Sequence, residues 1–321
     1  MESYQEENSS LVSKLSEKIS RLLEEPSVLH LRRGDYQSDT EITSFIIPDG
    51  VTCIPRFSFQ DCKNLETIII PDTVTSIEAY SFRGCSSLKT IQLPQSVVRI
   101  GSSAFEGCNS LQEIAIPEGV SVIESSSFEN CSALKKVALP STLKKIEWRS
   151  FFNCESLEEV SFPEGLVEIG SAAFFNCCLL RCKSFPSRLE IIGGSAFEGC
   201  KKLECVIAPD TIRLIGGAAF RGCESLCRVS LSPGIKAVGA FTFEGCINLE
   251  EVFIPEGVGQ ILKNAFKGCP KLKIVQLPTT IKRIGESAFE DCESLVSIAV
   301  LICTPFTGQT QWRGYISLWV G

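Results

Sequence analysis

The stretch "LKTIQLPQSVVRIGSSAFEGC" at residues 88–108 is nearly one whole copy of a unit that recurs along the chain. It ends on Cys108, and ten further cysteines continue the same 23-residue interval from Cys62 to Cys292. A phenylalanine stands three residues before each of these cysteines, and a leucine stands three residues after it. A fixed period of this length is typical of a solenoid, in which stacked coils bury the apolar faces that no single coil can bury.

Each unit predicts one coil. The portion L-x2-I-x-L is short and is followed by a proline such as Pro94, as expected of a brief strand that ends at a residue without an N–H. The V-x2-I portion then turns the chain, and [AS]-F-x2-C suits one helical or 3₁₀ turn. Stacked coils pair their strands at about 4.8 Å, which predicts one parallel sheet of about twelve short strands.

The unit resembles a known family. Residues 88–108, and "LVEIGSAAFFNC" at 166–177, match the signature LPxxLxxIGxxAFxxC of the BspA-like leucine-rich repeats. The resemblance covers roughly residues 42–300. It implies an α/β solenoid, a right-handed superhelix with a parallel sheet on its concave face and short helical or 3₁₀ turns opposite. It also implies binding to proteins or other macromolecules and, in some members, adhesion at a cell surface.

The ends depart from the repeat. Residues 1–41 are expected to form an N-terminal helix over 9–26 and a degenerate capping coil, because Tyr36 still keeps the register. Residues 42–300 are the solenoid of eleven repeats, and residues 301–321 are an irregular tail that starts with Leu301 where proline is due. One explanation is that the coding frame fails near residue 301. An open last coil would expose a strand edge and favour end-to-end association.

Composition excludes several functions. A net charge of −7 with a pI near 5.1 gives no basic footprint for nucleic acid or for an anionic membrane. The single histidine, His30, and the lack of a P-loop or a G-x-S-x-G elbow argue against an enzyme, a metal site or a cofactor. No segment reads as a signal peptide or a membrane span, which predicts a cytoplasmic protein, or a cell-surface one if the N-terminus is incomplete.

The cysteine ladder is expected to be structural, since cysteine is small and among the residues most often buried. Persistent free thiols favour a reducing compartment. Outside the ladder, Cys182 and Cys205 each follow a ladder cysteine by five residues and should lie side by side on neighbouring strands. They could form a redox pair, or bind a soft metal together with Cys227, or be exposed thiols without a role.

The strands predict one candidate surface. Residues five and seven after the cysteine point away from the core, because those six and eight after it point inward. This outward face is a floor of alanine and serine beside mixed charges, on which Ile207, Arg228 and Phe253 stand out. Exposed apolar side chains on a rigid sheet are hot-spot candidates. The alternative is a solvated face without a ligand.

The opposite side predicts a second surface. Two residues before the cysteine most repeats carry a polar residue, but repeats five and six carry Phe152 and Phe175. Trp148 precedes Phe152 by four residues and should join them in one aromatic patch across two coils. Such a patch suggests a partner or self-association site. Local packing of distorted coils is the alternative.

These features favour a non-catalytic scaffold that binds a protein through the concave sheet or the aromatic patch. A surface adhesin and the recognition part of a larger signalling protein are the alternatives. Arg33, Gly34 and Asp35 spell a tripeptide that some adhesive proteins present to integrins, although three common residues in a polar turn carry little information.

Overall fold

Two short parallel strands in most coils build the protein into a β-solenoid of about eleven turns. The computed structural model describes residues 31–181 and 184–300. The expected helix at 9–26, the tail at 301–321, and Cys182 lie outside the described residues. We count positions within a coil from its ladder cysteine, which is position 0 and has negative positions before it.

The first series of strands follows the predicted L-x2-I-x-L segment, and every pairing in it is parallel. Most of its strands alternate exposed, buried, exposed side chains, as at Glu113–Ala115, so positions +5 and +7 point outward there. We call this series the first sheet. It comprises β1 (Ser44–Ile46), β3 (Thr67–Ile69), β6 (Glu113–Ala115), β8 (Lys136–Ala138), β12 (Cys205–Ile207), β14 (Arg228–Ser230), β16 (Glu251–Phe253), β18 (Ile274–Leu277) and β20 (Ser297–Val300).

A second series of parallel strands runs through the V-x2-I segment, where the sequence predicts only a turn. The expectation of one sheet was therefore wrong. Each of these strands has two residues, and its isoleucine or valine at position −8 usually points into the core. We call this series the second sheet. It comprises β2 (Cys53–Ile54), β4 (Ser76–Ile77), β5 (Arg99–Ile100), β7 (Val122–Ile123), β9 (Lys145–Ile146), β10 (Glu168–Ile169), β11 (Ile191–Ile192), β13 (Leu214–Ile215), β15 (Ala237–Val238), β17 (Gln260–Ile261) and β19 (Arg283–Ile284).

The segment from position −6 to the cysteine closes each coil on a third side, which we call the turn side. The expected helical or 3₁₀ turn is not seen there, and the described residues contain no helix. Its N–H groups instead donate alternately to the next coil and to a carbonyl of the same coil. In the coil of Cys108, Ser103, Phe105 and Gly107 donate to carbonyls of the next coil at 2.8–3.0 Å. Ala104, Glu106 and Cys108 donate within the coil, three residues back, at 3.1–3.3 Å.

This alternation requires a left-handed backbone at two positions per coil. Position −1 has a positive φ in all eleven coils and is always glycine, asparagine or aspartate, as at Gly107, Asn130 and Asp291. These residue types tolerate that region best. Position −5 also has a positive φ in every coil but carries other residues, including Arg149 and Phe241. The restriction at position −1 is visible in the sequence and marks a tight turn rather than a helix.

A stack of phenylalanine rings at position −3 fills the core from end to end. Neighbouring rings lie nearly parallel with centroids 5.2–5.7 Å apart, from Phe59 through to Phe289. Tyr36 extends the stack onto Phe59 at 5.4 Å, at the position that corresponds to −3 in the segment before the first full repeat. In that segment Gly34 occupies position −5 with φ 73°, so the Arg-Gly-Asp tripeptide forms an ordinary coil turn.

The ladder cysteines are free thiols with one structural bond in common. The Sγ of Cys108 donates to the carbonyl oxygen of Phe82 at 3.2 Å, and that oxygen also accepts the N–H of Cys85. All eleven ladder thiols repeat this contact with the coil before. Burial raises the pKa of fully buried ladder thiols such as those of Cys131 and Cys246, in both cases to about 12.

The native protein should therefore show two classes of thiol. Iodoacetamide at about pH 8 is expected to label exposed Cys227 and to spare Cys131 and Cys246, because the thiolate is the reactive form and both thiols are buried. Peptide mapping by mass spectrometry measures this, with protein unfolded in guanidinium chloride as the control that labels at all three. Native labelling of Cys131 as fast as Cys227 would contradict the assignment.

Two adjacent phenylalanines give a matched test of the core. Phe151 is fully buried in the ring stack, whereas Phe152 is half-buried on the turn side. Phe151→Ala should lower the free energy of unfolding by about 3–5 kcal/mol through the cavity it leaves. Phe152→Ala should cost about 1 kcal/mol, the value of an aromatic pair. Urea denaturation followed by circular dichroism compares them, and equal losses would show that the stack does not dominate stability.

Candidate interaction surfaces

Ile207, Arg228 and Phe253, which the sequence predicts on this face, lie on three adjacent strands of the first sheet. Ile207, Ser230 and Phe253 lie side by side in register on β12, β14 and β16. The side chains of Ile207 and Phe253 are 52% and 48% exposed, and the small Ser230 leaves a gap between them. Adjacent strands lie about 4.8 Å apart, so the two apolar side chains flank a notch about 10 Å across.

Arg228 borders this notch two residues before Ser230 on the same strand. It is exposed, and it lies in register between Cys205 and Glu251. In the part of the chain that the structure describes, Arg228 makes no ion pair. We call Ile207, Arg228 and Phe253 the apolar sheet cluster. A cationic guanidinium beside two apolar side chains can bind a partner that presents an apolar residue next to an acceptor.

The N-terminal half of the first sheet carries only a shallow depression. It is lined by Gln92, Glu113, Ala115, Lys136 and Ala138, among others. This matches the expected floor of small residues beside mixed charges. It has no exposed aromatic anchor of the kind that dominates binding energy at interfaces.

The first sheet is interrupted between its two halves. Glu159 bridges to Lys136 at an offset of 23 residues but to Arg181 at an offset of 22. Phenylalanine replaces the usual aliphatic residue at position +8 in these two repeats, and Phe162 and Phe185 pack edge-on against Phe197 at 6.4 and 5.6 Å. Because two large rings occupy space meant for isoleucine or leucine, the strands lose regular pairing here.

The aromatic patch forms across two coils, but not as the sequence predicts. Phe152 and Phe175 stack with centroids 4.6 Å apart. Trp148 is 54% exposed and makes no ring contact with either within the described residues. Arg149 links them, with its guanidinium carbon 5.1 Å from the Trp148 ring and 3.6 Å from the Phe152 ring.

Sequence reasoning missed Arg149 and its partner. The carboxylate of Glu129, in the coil before, accepts two hydrogen bonds from the guanidinium of Arg149. This pairing raises the pKa of Arg149 further above its usual value. Position −5 holds a small or polar residue in most coils, so the long cationic side chain of Arg149 at this position could have identified it from the sequence.

Cys205 is a half-buried free thiol, and its suggested pairing with Cys182 stays a prediction because Cys182 lies outside the described residues. Within residues 31–181 and 184–300, no three His, Cys, Asp or Glu side chains meet as metal ligands would. That part of the chain also contains no helix long and apolar enough to cross a bilayer.

Solved structures share this architecture. A leucine-rich repeat protein from Bacteroides ovatus is 31% identical, with a TM-score of 0.55, over 84% of this chain and 81% of its own. A leucine-rich cell surface protein from Faecalibacterium prausnitzii is 30% identical, with a TM-score of 0.53, over 84% of this chain and 82% of its own. The pneumococcal vaccine antigen PcpA, at 21% identity over 81% of this chain and 78% of its own, shows the same fold with a TM-score of 0.53.

The family comparison agrees with the repeat seen in the structure. No curated protein matches the chain. The model of the BspA-type leucine-rich repeat region matches residues 32–147, 122–216 and 190–304, which together span the whole described solenoid. The chain therefore belongs to the BspA-type leucine-rich repeat family.

Proposed function

We propose that this protein is a non-catalytic scaffold that binds a partner protein through the apolar sheet cluster. The observation that carries the proposal is the half-exposed pair Ile207 and Phe253 on strands fixed by parallel neighbours. Side chains held by a paired backbone lose little entropy on binding, so their buried area contributes efficiently to affinity. Arg228 beside them supplies polar specificity.

The aromatic patch is the weaker candidate because its groups already satisfy one another. Phe152 and Phe175 cover each other's faces, and Arg149 covers Phe152. Glu129 neutralises the charge of Arg149. Only Trp148 leaves most of its side chain free for a partner. We therefore place the patch second.

The non-catalytic role is supported by how the chain uses its ionisable groups. The carboxylates of Glu124 and Glu147 accept the N–H and hydroxyl of Ser102 and Ser125 in the neighbouring coils. Hydrogen bonds from the hydroxyl and the N–H of Ser141 lower the pKa of Glu118. Catalytic acids and bases are usually tuned toward neutral pH, whereas the carboxylate of Glu118 is stabilised in its charged form, and all three carboxylates bond to a neighbouring coil.

The sheet proposal predicts a specific loss of binding. Ile207→Ser with Phe253→Ser should abolish recovery of the partner in affinity capture from the source cells, because both anchors are lost. Ile69→Ser is the matched control, since Ile69 is 51% exposed on the same sheet at the other end. Quantitative mass spectrometry compares the captures, with thermal stability recorded for each variant. A partner kept by the double variant, or lost equally by Ile69→Ser, would contradict the sheet proposal.

Location separates the leading proposal from the adhesin alternative. The free thiols support a reducing, cytoplasmic compartment, whereas the resemblance to the F. prausnitzii cell surface protein supports display outside the cell. Treating intact source cells with a membrane-impermeant biotin reagent should leave the cytoplasmic protein unlabelled, with lysed cells as the positive control. Labelling on intact cells would favour the adhesin.

A further inference from the structure

The turn side of the first coils carries stacked arginine and aromatic side chains. We call Arg33, Arg56, Phe57 and Tyr80 the arginine cluster. The rings of Phe57 and Tyr80 stack with centroids 5.2 Å apart. Both residues occupy position −5 with φ near 64°, a region that bulky side chains rarely adopt. Seven of the other nine full coils place serine, alanine or asparagine there, so only the first two repeats have bulky residues at this strained position in adjacent coils, and strained residues that cluster can point to a function.

The two arginines lie over these rings. The guanidinium carbon of Arg33 is 5.0 Å from the Phe57 centroid, and that of Arg56 is 5.3 Å from Phe57 and 5.8 Å from Tyr80. Stacking uses the flat face of a guanidinium and leaves the N–H groups at its edge free to donate. Both arginines are exposed, and among the described residues neither has a carboxylate within 4.0 Å.

Two other arginines in the described part of the chain stack on a ring and also pair with a carboxylate. Arg83 lies 5.9 Å from the Tyr80 ring and pairs with Glu106 at 3.1 Å. Arg149 lies over Phe152 and pairs with Glu129. Both glutamates occupy position −2 of a coil. Each of these stacked arginines therefore pairs with a carboxylate at position −2, in the next coil for Arg83 and in the coil before for Arg149.

The first two coils have no carboxylate at position −2. Their residues at position −2 are Gln37 and Gln60, whose side chains hydrogen-bond to each other at 3.4 Å. Two acids that are close to these arginines in the sequence, Asp35 and Asp61, have other partners. Asp35 accepts the backbone N–H of Arg32 at 2.6 Å, and Asp61 accepts the amide of Gln60 at 3.1 Å. Arg33 and Arg56 are therefore held by ring stacking, but no carboxylate of the described residues pairs with them.

We propose that the arginine cluster binds an acidic segment of a partner protein. Aspartate or glutamate side chains of that segment take the place that Glu106 and Glu129 take on Arg83 and Arg149. A short acidic segment fits better than a nucleic acid, because carboxylates are the groups that pair with Arg83 and Arg149, and the chain's net charge of −7 opposes a long polyanion most strongly. The cluster lies on the turn side, away from the apolar sheet cluster, so the two proposals can fail independently.

The probe is a fluorescein-labelled decapeptide of alternating glutamate and serine, measured by fluorescence anisotropy at low salt. Arg33→Gln with Arg56→Gln should weaken its binding by at least about tenfold, since charge-assisted bonds are lost. The matched control is Arg188→Gln with Arg283→Gln. It removes the same charge from two exposed arginines that make no ion pair in the described part of the chain. It should bind like the unaltered protein.

A second pair of variants keeps every arginine. Gln37→Glu with Gln60→Glu restores the internal carboxylates and should also weaken peptide binding by at least about tenfold. Gln92→Glu with Gln95→Glu adds the same charge at exposed sites elsewhere and should have little effect. The proposal is overturned if the glutamate peptide does not bind the unaltered protein while a phosphoserine peptide or an oligonucleotide does. It is also overturned if the variants and their charge-matched controls lose affinity equally.

Discussion

The hydrogen bond from one coil to the next is the constraint on which the rest of the structure depends. On the turn side, alternate N–H groups point along the solenoid axis and reach carbonyls one coil away. Each such donor would be unsatisfied if a single residue were inserted or deleted, and a buried unpaired donor costs about 1–3 kcal/mol. This explains why eleven copies keep a 23-residue period without interruption. It also explains why two residues per coil adopt a left-handed backbone, since that geometry turns every second peptide group toward the neighbour.

Periodicity made much of the fold predictable. The fixed interval between cysteines indicated the stacked coils, and the alternation around Ile114 or Val229 indicated which strand residues face the core. The second sheet was not predictable in the same way. Its strands have two residues each, and V-x2-I has the spacing of a turn, so those strands exist only because the neighbouring coil supplies a partner. The ladder cysteine was expected to be a small apolar residue, and its bond to a phenylalanine carbonyl required the coordinates of the coil before it.

The candidate surfaces also divide into residues that the sequence could place and residues that it could not. Ile207 and Phe253 could be assigned to an exposed row by counting residues, because strand alternation is regular. Trp148 could not be placed correctly, because the expected helical geometry is absent from the turn side. The arginine cluster could not be predicted from the sequence for a related reason. Its members come from positions −6 and −5 of successive coils, and only the observed turns show that these side chains stack from coil to coil.

The identity of the core in every coil has an evolutionary consequence. Because the ring stack, the thiol bonds and the strand pairs of the second sheet repeat at the same interval, a duplication or deletion of one 23-residue segment joins these elements in register. Such an event leaves the interior unchanged and moves surface residues apart or together by one strand spacing, about 4.8 Å. The distance between the arginine cluster and the apolar sheet cluster is therefore a heritable variable that unequal recombination can adjust in uniform steps, independently of the sequence of either surface.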